Sequence, residues 1–201
     1  MAWSGRARDA VRWVAWGSKV LARGTGGVVR VARSGRARDA LVPWMRFARA
    51  EDIPYEVLAG QGVKAVLFDL ENTLIPPGGP FTAEGREIVR LVRAAGLRIG
   101  VVSNASASWV PATLKAEAIP FVAPAGKPDR RAFEAGCRLL GVRLREAVYV
   151  GDQLLTDVYG AQRAGMRAIL IEPRYTKEAW SSRFQRVVAK GIVRATRAHA
   201  G

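Results

Sequence analysis

From residue 62 the chain settles into a repeating rhythm. Short runs of consecutive apolar residues alternate with longer stretches whose apolar positions recur every three or four residues. The run KAVLFDL (64–70) predicts a strand buried on both faces and ending in an acid. TAEGREIVRLVRAAG (82–96) predicts a helix, with Thr82 as N-cap, Ile88, Leu91 and Val92 on one face, and Gly96 as the stop. RIGVVSN (98–104) is a second strand. A helix over 109–118 follows, with Pro111 accommodated in its first turn. PFVA (120–123) is a short third strand. DRRAFEAGCRLLG (129–141) is a helix capped by Asp129 and stopped by Gly141. AVYVGD (147–152) is a strand, 155–165 a helix, and RAILIE (167–172) the last strand. This alternation predicts an α/β fold with a doubly wound, Rossmann-like parallel sheet and helices on both faces. Ligands of such sheets bind beyond the carboxyl ends of the strands.

Charge divides the chain differently. The 201 residues carry a formal net charge of +15. Residues 1–40 hold nine Arg/Lys and two Asp, a net of +7. Residues 174–201 hold seven Arg/Lys and one Glu, a net of +6. The stretch between has sixteen basic and fourteen acidic residues, only +2. The basicity thus belongs to the two ends and points to an anionic partner, a membrane surface or nucleic acid. The expected organisation is a basic, Arg/Ala-rich extension over 1–40, a catalytic-type domain over 41–175 and a basic amphipathic helix over 176–201. SGRARDA occurs at both 4–10 and 34–40, which reads as a local duplication rather than a solenoid. In a helix over 8–23, Arg8, Arg12, Lys19 and Arg23 share a side beside Trp13, Trp16 and Val20, a pattern of interfacial helices. A solvated tail fits the same residues. With no run of 18 apolar residues, no membrane-spanning helix is expected. The start is a poor signal peptide, and the single cysteine, Cys137, forms no internal disulfide, so a cytoplasmic location is expected.

Four polar clusters end predicted strands or open the helix after one: DLENT (69–73), SN (103–104), Lys127 in GKP, and GDQLLTD (151–157). A parallel sheet offers them one crevice. Together they suit phosphoryl transfer, which needs a nucleophile, positive charge around the phosphoryl oxygens and a proton for the leaving oxygen. Asp69 can attack in line. Asp69 and Asp152 can share Mg²⁺, a hard cation that favours carboxylates. Lys127 supplies a point charge, Ser103 a hydroxyl with Asn104 beside it as a further phosphate-binding candidate, and the backbone N–H groups after Asp69 a cradle that includes Asn72 and Thr73. Asp157 can support the metal from behind. Each residue alone has a plainer reading. Ser103 and Asn104 could cap a helix, Lys127 could be a loop lysine, and Asp157 could pair with Arg163. Only the ordered set favours chemistry. His199 is uninvolved, and Cys137 faces the core of its helix.

VLFDLENTL, VVSN, GKP and VGDQLLTDV resemble the four ordered motifs of the haloacid-dehalogenase superfamily. GVKAVLFDLENTL, GKPDRRAF and VGDQLLTDVYGAQRAGM resemble, within subfamily IIIA, its YqeG-like branch, which is related to the mitochondrial- and plastid-type phosphatidylglycerophosphate phosphatases. The resemblance spans roughly 41–190. It implies Asp69 as nucleophile, Mg²⁺ held by Asp69, Asp152 and the carbonyl of residue 71, Ser103 and Lys127 on the phosphoryl group, and Asp157 behind the metal. The family usually has an aspartate two residues after the nucleophile as acid and base. This chain has Glu71, one methylene longer, which leaves full turnover, slow turnover and a degenerate site as alternatives.

The intervals 74–97 and 105–126 leave no room for an inserted cap domain, so an open site is expected, suited to a phosphate on a large or surface-bound molecule. In a helix over 178–198, Arg183, Arg186, Lys190, Arg194 and Arg197 form a stripe beside Trp180, Phe184, Val187, Val188 and Ala195, a face suited to anionic lipid. The resulting expectation is a Mg²⁺-dependent phosphatase acting through an aspartyl phosphate, with phosphatidylglycerophosphate as favoured substrate and peripheral contact with the membrane. The alternatives are a soluble phosphatase of nucleotide or sugar phosphates and a degenerate domain that binds RNA or a ribosome.

Overall fold

The computed structural model describes residues 40–175, except 107 and 109 and the side chains of 111 and 113. The helices expected within 1–39 and 176–201, and His199, lie outside the described residues. Pro43–Tyr175 forms one compact unit.

Its six strands are β1 (Met45–Phe47), β2 (Ala65–Phe68), β3 (Arg98–Val102), β4 (Phe121–Val122), β5 (Ala147–Gly151) and β6 (Arg167–Ile171). They form one sheet in the order β1-β6-β5-β2-β3-β4, and every pairing is parallel. The chain runs outward from β2 to β3 and β4, then returns to the other side of β2 for β5 and β6. The strand order therefore reverses between β2 and β5, where an open α/β sheet makes its binding crevice. β1 was not expected. Its three residues are half-buried or exposed, too short and too mixed to show a period, and pairing with β6 makes it a strand.

The helices are α1 (Tyr55–Gly60), α2 (Ala83–Ala94), α3 (Val110–Ala116), α4 (Arg130–Leu139) and α5 (Gly160–Ala164). Thr82 Oγ accepts the N–H of Gly85 at 3.2 Å and Asp129 Oδ1 that of Arg131 at 2.9 Å, so both expected N-caps are formed. The stretch expected as one helix over 155–165 differs: a π-helical turn, Leu154–Tyr159, runs into α5. This widened turn carries Asp157.

Both faces of the sheet are covered, as consecutive apolar runs demand. Val66 and Phe68 lie in a cluster with Ile88, Val89 and Val92 of α2 and Val110 and Leu114 of α3. Ala65 and Leu67 lie in a second cluster with Phe133 and Cys137 of α4 and Ala161 of α5. Burying each large side chain contributes about 1.5–3 kcal/mol. α4 approaches the sheet closely because residue 136 is glycine; a Cβ there would meet Val102 Cγ2 at 2.6 Å. Between β2 and β3, and between β3 and β4, the described residues contain one helix each. Among the described residues no cap domain is inserted there.

Candidate active site

The carboxyl ends of β2, β3 and β5 converge, as the strand order requires. β2 ends at Phe68 and delivers Asp69, whose N–H is held by the Val150 carbonyl of β5 at 2.8 Å. β5 ends at Gly151 and delivers Asp152. Asp157 returns from the π-helical turn. Carboxylate oxygens of Asp69, Asp152 and Asp157 lie within 4.8 Å of one another. Asp69 and Asp157 are buried, Asp152 partly so.

Lys127 is the cation of this cluster. It is buried, and its Nζ donates to Asp69 Oδ1 at 2.8 Å, Asp157 Oδ1 at 2.8 Å and the Tyr149 hydroxyl at 2.7 Å. Burial pushes the ammonium toward neutrality, but Asp157 and Asp69 more than offset it and leave the pKa above its usual value. Asp157 thus pairs with Lys127 and not with Arg163, whose guanidinium lies over the Tyr159 ring. Asp157 Oδ2 also accepts the Gln153 N–H at 3.0 Å.

Asp152 has no such partner. Burial, then Asp157 and Asp69, push its pKa up to about 8. Its Oδ1 is a buried atom with no hydrogen-bond partner among the described residues. An unpartnered oxygen beside two further carboxylates is the donor set that a hard divalent cation takes, so these residues fit Mg²⁺.

The loop after Asp69 is tightly folded. Asn72 has φ +61°. Its N–H goes to the Ile75 carbonyl at 2.8 Å and its carbonyl accepts from Arg174 N–H at 3.1 Å. The Asn72 N–H is therefore committed within the loop. Thr73 is buried, and its Oγ1, like Asp152 Oδ1, has no partner among the described residues. Glu71 Oε1 accepts the Gly78 N–H at 2.8 Å, so its carboxylate is anchored on the loop 76–80.

Ser103 follows β3. Its Oγ accepts the Ala105 N–H at 3.1 Å, which leaves its proton available for an anion. Asn104 does something the sequence did not suggest. Its side-chain amide donates to the Lys127 carbonyl at 2.9 Å and accepts the Lys127 N–H at 2.7 Å. With both ends engaged it clamps the lysine loop. Cys137 is buried in α4, as expected, and its pKa is pushed up to about 11, chiefly by burial, which makes it a poor nucleophile.

One member of the cluster went unread in the sequence. Tyr149 lies mid-strand in β5, fully buried, and donates to the Val102 carbonyl at 2.8 Å while accepting from Lys127. The signal was available: a tyrosine within an aliphatic, two-sided strand must find a partner for its hydroxyl.

Comparison with known proteins places the chain in a family. The HAD-hydrolase-like family model matches residues 124–192. The chain is 33% identical over 141 residues to the probable phosphatase YqeG of Bacillus subtilis, an alignment covering 70% of this chain and 82% of that protein. It is 33% identical over 101 residues to the phosphoglycolate phosphatase of Caulobacter vibrioides, covering 46% of this chain and 42% of the relative. Among solved structures, a HAD phosphatase from Thermococcus onnurineus superposes with a TM-score of 0.43 at 21% identity, over 59% of this chain and 90% of that one. The chain belongs to the YqeG-like family of haloacid-dehalogenase-type phosphatases, and is a phosphoric monoester hydrolase.

Proposed function

We propose that this chain hydrolyses phosphomonoesters with Mg²⁺ through an aspartyl phosphate on Asp69, and that its favoured substrate is phosphatidylglycerophosphate at an anionic membrane surface. The observation that carries the chemistry is the cluster of Asp69, Asp152 and Asp157 within 4.8 Å, with Lys127 Nζ on Asp69 Oδ1. When bound, Mg²⁺ would be held by Asp69 and Asp152, with Asp157 supporting, and would supply positive charge to the phosphoryl oxygens.

The chain's own residues do the rest. Asp69 attacks phosphorus in line, a new O–P bond forms, and the bond to the ester oxygen breaks. Lys127 and Ser103 donate to the phosphoryl oxygens. Glu71 is the candidate acid that protonates the departing oxygen and the base that then takes a proton from the water attacking the aspartyl phosphate. Its anchor on the Gly78 N–H supports that role, since it holds the longer side chain at a defined place. Asp157, Gln153 and Asn104 fix the lysine and the metal side of the pocket.

The lipid substrate is supported by the absence of an inserted cap in the described residues, by the net charge of +6 over 174–201 and by the family resemblance. Among the described residues no helix is long and apolar enough to cross a membrane, so contact would be peripheral. A second reading, a phosphatase of small soluble phosphates, is favoured by the relative named for phosphoglycolate. Phosphate release from phosphatidylglycerophosphate in detergent micelles, measured beside a panel of nucleotide and sugar phosphates, separates the two. Flotation with anionic and neutral liposomes tests the membrane contact. Retention of RNA without liposomes, together with no Mg²⁺-dependent release, would overturn both readings.

A further inference from the structure

We infer that Tyr149 is a positioning residue that aims the Lys127 ammonium at the nucleophilic oxygen of Asp69. The inference rests on the reading of Asp69 as nucleophile, and follows from counting donors. An ammonium has three N–H bonds. Those of Lys127 go to Asp69 Oδ1, Asp157 Oδ1 and Tyr149 Oη, at 2.8, 2.8 and 2.7 Å. Tyr149 has one proton, and it goes to the Val102 carbonyl at 2.8 Å. The hydroxyl can therefore only accept from Lys127.

This fixes the direction of each bond. Two donors are held from behind, by the π-helical turn through Asp157 and by β5 through Tyr149. The third is left on Asp69. Once a phosphoryl group sits on Asp69, that same N–H is the one placed to move to a phosphoryl oxygen, while the other two keep Nζ in position. The Tyr149 ring is itself held edge-on by Phe133, with centroids 5.0 Å apart. β3 is joined to the same network through Val102, so the lysine is referenced to the central strands rather than to its own loop.

Tyr149→Phe tests this, because it keeps the ring and removes only the oxygen. A hydrogen bond to a charged group that is lost inside a protein lowers function by roughly 10- to 100-fold. Affinity for inorganic phosphate with Mg²⁺, read by calorimetry, should fall by that factor in Tyr149→Phe and further in Lys127→Met. The double variant should bind no more weakly than Lys127→Met alone, since Tyr149 acts through the lysine. Additive losses would overturn the inference, as would unchanged affinity in Tyr149→Phe. Should Tyr149→Phe fail to fold, the wild type still decides. A lysine with three fixed bonds must give a slowly exchanging ¹⁵Nζ ammonium signal, absent from Lys127→Met, and its absence from the wild type would overturn the inference. Failure of the catalytic reading looks different: Asp69→Asn would retain turnover while the ammonium signal persisted.

Discussion

Gly151→Ala is a one-carbon change that should cost both stability and metal. A Cβ built on Gly151 would lie 2.4 Å from Asp157 Oδ2, 2.6 Å from its Cγ and 2.8 Å from its Cβ. Asp157 cannot swing aside cheaply, because it is fully buried and bonded at both oxygens, to Lys127 at 2.8 Å and to the Gln153 N–H at 3.0 Å. Ordinary contact requires a displacement of about 1 Å, which breaks at least one of these bonds. Losing one partner of a buried ion pair costs about 3–5 kcal/mol. For a domain of this size each kcal/mol moves the melting temperature by about 3 °C, so a drop of about 10 °C is expected. Disturbing a residue behind the metal weakens binding by about 10- to 100-fold, so the Mg²⁺ concentration giving half-maximal phosphate release should rise by that factor. Thermal melts and Mg²⁺ titrations with an aryl phosphate measure both. A variant that melts within about 2 °C of wild type with an unchanged Mg²⁺ midpoint would refute the claim that Gly151 exists to admit Asp157.

Asp69→Asn should abolish phosphate release while the protein stays folded, checked by turnover and melting side by side. Glu71→Gln should lower turnover by about 100-fold or more, whereas Glu71→Asp should retain or raise it; a large drop for aspartate in the same assay would mean the site is built around the reach to Gly78. Asp152, pushed up to about 8 against an ordinary value of 3.8, makes the folded state bind more protons than the unfolded one between about pH 4 and 8. The contribution of Asp152 to metal-free stability should therefore fall as pH rises through that window, by at most about 1.4 kcal/mol per pH unit, and Asp157, pushed up to about 6 chiefly by burial, acts in the same direction below that pH. Mg²⁺ displaces that proton, so the rise in melting temperature caused by Mg²⁺ should grow from pH 5 to pH 8; an increment that does not vary with pH would contradict this.

The parts of the fold legible in the sequence were those whose burial wrote a period. β2 and β5 are apolar throughout because helices cover both faces, and Thr82 and Asp129 announced their helices because a first turn needs acceptors. β1 was not legible, since three residues carry no rhythm and the strand exists only through β6. The convergence of Asp69, Lys127 and Asp152 was legible because a parallel sheet has one catalytic edge. The finer division of labour was not. Asn104 sits beside Ser103 in sequence, yet its amide turns to clamp a loop 23 residues away. Glu71 finds its anchor only because the loop 76–80 folds back. Asp157 meets Lys127 rather than Arg163 because the chain forms a π-helical turn, which no spacing rule distinguishes from an ordinary helix start.

The charges of the pocket also dictate an order of binding. Three carboxylates face one ammonium, so full ionisation leaves a net of −2, and burial, together with Asp157 and Asp69, raises the pKa of Asp152. A phosphomonoester brings a further −2. At about 5 Å and an effective dielectric of about 20, each pair of like charges costs about 3 kcal/mol, so the pocket alone repels its substrate. Lys127 cannot reverse this, because its single positive charge is already counted in that net of −2. A divalent cation cancels the pocket's charge and leaves the phosphoryl group facing Lys127 and Ser103. On the proposed Mg²⁺-dependent reading, the cation is therefore expected to precede the phosphate. Calorimetry with inorganic phosphate should show binding with Mg²⁺ present and at least a hundredfold weaker binding in chelator; equal affinity in both would mean that positive charge outside the cluster, and not the metal, admits the phosphoryl group.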